Sequence, residues 1–199
     1  MTTQTDKMSD AVWPQIENPA TGERMVFLRT ARATGGASVE IQFDLPPGAA
    51  GSPLHYHRRL HETFEVSSGT LEMIVGDGAT WRAVRAGELV VVPPRTPHAF
   101  RNVSADWVTF TSVVTPSGQF ERFLRAWYGL AQAGLVEPSG MPRNLFYVAL
   151  GLDYADFVFP GVPDLLQRVL LRSLTGVARL IGAERRLDRH LATANGVTR

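Results

Sequence analysis

Val39, Ile41, Phe43 and Leu45 alternate with Ser38, Glu40, Gln42 and Asp44. A period of two puts the apolar set on one face of an extended chain, so this stretch reads as a half-buried strand. Similar short runs occur at residues 25–30, 63–67, 71–75, 80–84, 88–92, 99–103 and 107–114. Turn-forming residues separate them at Gly35-Gly36, Ser68-Gly69, Gly76-Asp77-Gly78, Ala86-Gly87 and Ser104-Ala105-Asp106. Many short strands at such close spacing predict an antiparallel sandwich or barrel, and a double-sheet jelly roll meets that description. The expected barrel covers residues 24–115. Residues 1–23 form an arm whose first dozen positions are polar, with turns expected at Trp13-Pro14 and Asn18-Pro19-Ala20-Thr21-Gly22.

The periodicity then changes to a helical one. Phe120, Phe123, Leu124, Trp127, Leu130 and Ala131 recur at helical spacing, with Thr115 as the expected cap and Pro116 in the first turn. Helices are predicted near 117–134, 144–155 and 163–182, in an extension covering residues 116–199 that packs on the barrel or on a dimer partner. Asp164 and Gln167 resemble a capping box. Leu165, Leu166, Val169, Leu170, Leu174, Val177, Ala178 and Ile181 form one apolar stripe, with Arg168, Arg172 and Arg179 largely opposite. Such a helix could lie on a membrane surface. Packing on the barrel or in a dimer interface is the preferred reading, because the neighbouring helices are amphipathic too. The tail from Glu184 is charged and expected to be exposed.

Composition narrows the function. At 199 residues, with 44% apolar and 20% charged side chains, the chain has room for one domain with a full core. A net charge of +1 predicts no bulk attraction to nucleic acid, and neither a basic stripe nor a helix-turn-helix is present. The chain lacks cysteine, which excludes disulfides, thiolate ligands and nucleophilic Cys chemistry. No stretch is apolar enough to span a bilayer, and the polar first residues do not read as a secretory signal. The expected compartment is the cytoplasm.

Four of the five histidines lie between positions 55 and 98. His55 and His57 are two apart, so on a strand both rings point the same way. Glu62 opens the next run, on the face shared by Phe64 and Val66. His98 follows the turn Pro93-Pro94-Arg95-Thr96-Pro97. Three neutral imidazoles and one carboxylate inside a barrel suit one borderline divalent transition metal; Fe, Mn, Ni and Zn all accept such donors. About two coordination positions would stay open for water, dioxygen or substrate. His61 falls on the opposite face and is expected to be exposed, and Tyr56 also points away from the metal.

These spacings resemble the cupin family. His55, His57, Glu62 and Gly69 fit its first motif; Gly87, Pro93, His98 and Asn102 fit its second. Two features depart. The glycine that leads the first motif is displaced, and Arg95 stands where the family usually has a glycine that relieves a strained turn. The resemblance covers about residues 35–115. It implies a mainly β protein: a double-stranded β-helix, or jelly-roll barrel, followed by α-helices. The opening Asn18 to Glu23 and the helical extension are also similar to an uncharacterised bacterial group of single-domain cupins.

The substrate pocket is expected to include Phe64, Met73 and Phe100 around the metal, with Arg95 at the mouth able to pair with an anion. Asn102 is expected to fix a turn. The leading functional expectation is a metal-dependent enzyme, dioxygenase-like (an oxidoreductase) or isomerase-like, acting on a small organic substrate. The alternative is a non-catalytic small-ligand binder or sensor. Cupins commonly dimerise and the helices carry apolar surface to spare, so a homodimer is expected.

Overall fold

A computed structural model of the chain describes residues 15–76, 80–193 and 196–197. The expected arm up to Pro14 and the Asp77-Gly78 turn lie outside the described residues. The elements run β1 Ile16–Glu17, β2 Arg24–Arg29, β3 Val39–Leu45, β4 Ser52–His57, β5 His61–Ser68, β6 Thr70–Val75 and β7 Arg82–Arg85. They continue with β8 Leu89–Val92, β9 His98–Arg101, β10 Val108–Thr115, α1 Phe120–Gln132, α2 Leu145–Tyr154 and β11 Phe157–Val158. The last are α3 Asp164–Leu180, α4 Ala183–Asp188, β12 Ala192–Thr193 and β13 Gly196–Val197.

Two antiparallel sheets face each other, as the strand pattern predicts. One has the order β1-β2-β3-β10-β5-β8 and the other β11-β4-β9-β6-β7. Strand β3 buries every second residue, the set Val39, Ile41, Phe43 and Leu45. Strand β10 pairs with β3 on one side and β5 on the other, so Phe110 lies opposite Phe43 and Val66. Met25, Ile41, Leu45, Leu71, Met73 and Phe110 are fully buried between the sheets. Each contributes roughly 1.5–3 kcal/mol by leaving water. The β5–β6 hairpin turns at Gly69, whose φ is +78°. A Cβ there would lie 2.7 Å from the Trp107 carbonyl oxygen, so both backbone and space call for glycine.

Five local expectations need correction. Thr115 does not cap a helix: it ends β10, and α1 starts at Phe120 without a side-chain cap. Asp164 and Gln167 form no capping box. Gln167 instead bonds Phe159 N and O and Val162 O, while Asp164 accepts from Arg58 and Arg168. Residues 157–158, where no strand was expected, add β11 to the edge of β4. The segment after Gly182 is not simply an exposed tail. It forms α4 with Ala183 and Leu187 buried, and the chain then crosses α1 at Gly129, where a Cβ would collide with the His190 carbonyl. The fifth concerns α3: of the two packings expected for its apolar stripe, the one on the barrel is not made. Leu165, Leu166, Val169, Leu170 and Leu180 are exposed, and only Thr175 and Ala178 are buried. Ion pairs tie the other side of the helix to its neighbours: Arg58 with Asp164, and Arg179 with Asp153 and Glu184.

Candidate metal centre

Strand β4 carries His55 and His57 on one buried face, and β9 sets His98 directly across from His55. Glu62 is the second residue of β5 in the other sheet. The four side chains meet between the sheets, all buried, with one ligand atom of each within 4.8 Å of the others. His55 Nε2 is 3.2 Å from His57 Nε2. Glu62 Oε2 is 2.8 Å from His98 Nε2 and 3.3 Å from His57 Nε2.

The other ring nitrogens say what these atoms are. His55 Nδ1 donates to Pro53 O at 2.7 Å, His57 Nδ1 to Ala155 O at 2.7 Å and His98 Nδ1 to Thr96 O at 3.0 Å. A proton on each Nδ1 leaves each Nε2 as a lone pair, the tautomer that ligates metals. Four acceptors then converge, and Glu62 Oε2 and His98 Nε2 are buried without a hydrogen-bond partner. A cation satisfies such a set, so these residues fit a divalent metal.

In the metal-free protein the charges settle differently: His57 and Glu62 favour an ion pair, whose proton a metal would displace. Burial, with His98 and His57 alongside, pushes His55 well below the usual imidazole range. Burial opposes charge on His57 too, but the Glu62 carboxylate and the Ala155 carbonyl outweigh it, and its pKa is raised. Burial likewise opposes ionisation of Glu62, yet His57 and His98 hold its carboxyl well below the usual carboxylate range.

The helical extension builds part of this centre. Ala155 supplies the carbonyl for His57, and Phe157 on β11 stacks on His55 with ring centres 3.6 Å apart and planes 6° apart. Asp156, between them, accepts from Arg59 N and pairs with Arg58. Phe120 of α1 meets His57 edge-on at 5.9 Å. No periodic signal in the sequence marked Ala155, Asp156 or Phe157, whereas Phe120 belongs to the helical pattern.

A cavity of about 450 Å³ opens onto His55, Glu62 and His98. Phe64 and Phe100 line it, as do Phe120, Phe123, Trp127 and Phe157 from the extension. Met73 is fully buried and does not line it. Arg95 does not line it either: it borders a second pocket of about 350 Å³ with Arg58, Arg59, Arg168, Arg172, Asp153 and Asp156. Arg95 holds a left-handed φ of 66°, the conformation that favours the family's glycine. His61 is half-buried at the start of β5 and outside the cluster. Asn102 fixes a turn, its amide donating to Leu45 O, Pro46 O and Asp106 O.

The cavity wall also holds Glu23, Ser112 and Tyr128, which the motif spacing did not single out. Burial raises the Glu23 carboxyl above its usual range, while hydrogen bonds from Thr21 and Tyr128 hold it back in part. Burial, then the charges of Glu23 and Asp44, push the Tyr128 phenol well above its ordinary value.

Fold and site together define a double-sheet jelly-roll protein whose interior carries three histidines and one glutamate suited to a divalent metal. Residues 41–114 match the family model described as a cupin domain, so the barrel of this chain carries a cupin domain. Similar solved structures include a predicted oxalate decarboxylase from Thermotoga maritima, 19% identical over 47% of this chain and 80% of that one, TM-score 0.44. A cupin-superfamily sugar phosphate isomerase from Silicibacter pomeroyi is 27% identical over 54% and 69%, TM-score 0.43. An RmlC-like cupin from Shewanella frigidimarina is 19% identical over 58% and 96%, TM-score 0.46. None of these likenesses carries an activity over to this chain. No curated protein matches it.

Proposed function

We propose that this cupin-domain protein is a metal-dependent enzyme, dioxygenase-like or isomerase-like, acting on a small organic substrate. The observation that carries the reading is the convergence of four buried acceptors, two of them without a donor, at the wall of a cavity large enough for such a molecule. Bound there, a divalent ion supplies a Lewis acid or a site for dioxygen activation. The chain's own residues do the rest. Pro53, Thr96 and Ala155 aim the three rings through their carbonyls. Phe120 and Phe157 shield the cluster with apolar surface, and the cavity leaves the open side for substrate.

The test is elemental analysis of protein purified without chelator, followed by oxygen-uptake and product screens with and without added metal. About one equivalent of a divalent metal and metal-dependent turnover are expected. Wild-type protein that binds no divalent metal at neutral pH overturns the proposal. One observation favours a second reading, a ligand sensor: the segment joining α2 to α3 touches the centre through Ala155 and Phe157, so ligand state could reach the helices. Ligand binding without turnover in metal-replete protein selects it. The exposed apolar stripe of α3 supports a homodimer joined through that helix.

A further inference from the structure

We propose that the cavity takes a neutral or cationic ligand with an aromatic or similarly apolar body, and that Glu23 is the second polar anchor for it. This rests on reading the cluster of His55, His57, Glu62 and His98 as the place where the ligand's head binds metal. The chain has 20 lysines and arginines. None of them, among the described residues, lines the cavity. Three arginines close to the centre in sequence, Arg58, Arg59 and Arg95, border the other pocket.

What the cavity offers is ring surface and one further carboxylate. Phe120, Phe123, Trp127 and Phe157 come from the extension, and Phe123 lies 5.0 Å from Trp127 between ring centres. Glu23 precedes β2, so it enters from a part of the chain remote from the ligand histidines. Its side chain meets the hydroxyls of Thr21 and Tyr128 and has no ion pair among the described residues.

These features sort ligands by the charge of the end away from the metal. A phosphate or carboxylate tail would leave water for a cavity with no guanidinium or ammonium to receive it, and would face Glu23. An ammonium tail meets both the carboxylate and the negative faces of the rings. A hydroxyl tail can donate to Glu23 without a charge cost. Phosphorylated sugars and dicarboxylates are therefore poor candidates, and amine- or hydroxyl-bearing aromatic compounds are good ones.

Three probes share a catechol head and differ in the tail: dopamine, methylcatechol and dihydroxyphenylacetate. Their binding to the zinc-loaded full chain is measured by calorimetry, zinc being redox-inert, with zinc content determined separately. Dopamine is expected to bind most tightly, at least about tenfold more tightly than dihydroxyphenylacetate, with methylcatechol between. Glu23→Gln should bring dopamine and methylcatechol within about twofold of each other while zinc content stays unchanged. The proposal is overturned if dihydroxyphenylacetate binds as tightly as dopamine, if Glu23→Gln leaves the ratio of dopamine to methylcatechol affinity unchanged, or if no probe binds the zinc-loaded protein. The wild-type order alone decides the matter should the variant not fold. If the chain takes up no zinc, the metal reading fails separately. The charge preference is then read from phenethylamine against phenylacetate on the metal-free chain, where equal binding or none overturns it.

Discussion

His57 differs from His55 in the charge it can carry. Glu62 raises its pKa, whereas burial and the neighbouring rings lower that of His55. In the metal-free protein His57 therefore keeps a proton to a higher pH than the usual value of about 6.5. A metal must displace that proton. Calorimetry in buffers of different ionisation enthalpy at neutral pH should show proton release on zinc binding. The affinity should fall by about tenfold per pH unit as pH drops through the raised pKa of His57. No proton release, with affinity flat from about pH 8 to 6, would contradict the assignment. His57→Ala should remove most of the bound metal measured by elemental analysis, and His61→Ala little, because His61 stands outside the four-residue cluster. Loss of metal on His61→Ala but not on His57→Ala would show that the wrong histidine has been assigned. These ligands were readable because two-residue spacing on a strand dictates a shared face. Arg95 was readable as a departure in the turn, but not as a side chain directed to another pocket.

Among the elements, β11 is the one that joins the barrel to the helices. It pairs Phe157 with His57 and Val158 with Tyr56, which stacks Phe157 on His55. Partners outside the ligand set orient the ligands and control solvent access. Phe157→Ala should lower zinc affinity by about tenfold while leaving the barrel folded by circular dichroism. An unchanged affinity would mean that the stack has no part in the site. A strand of two residues has no period, so no alternation could announce it. The longer elements were legible for the opposite reason. Helix α1 spans 13 residues and α3 spans 17, enough turns for a 3.6-residue pattern to repeat.

For the molecule as a whole, α3 is the unusual feature. Leu166 and Leu170 are 59% and 58% exposed, one turn apart, with Leu165 and Val169 beside them. A second copy laid on this helix would bury the stripe from both sides, as an isologous contact requires. Light scattering of the wild-type chain at micromolar concentration should give a dimer, and the double variant Leu166→Glu, Leu170→Glu a folded monomer. A monomeric wild type would remove the dimer reading. The amphipathic pattern told that one face of α3 is apolar. It could not tell that this face points outward, because periodicity records which residues share a side and not what lies there. The same boundary runs through the site. Alternation and spacing, properties of neighbouring residues, determined the strands, the jelly roll and the four side chains of the cluster. Packing between distant segments settled the rest: the Ala155 carbonyl that meets His57 across 98 residues, the rings that wall the cavity, and the tail that crosses Gly129. Those contacts depend on how two sheets and four helices close on one another, and no local stretch of chain holds that information.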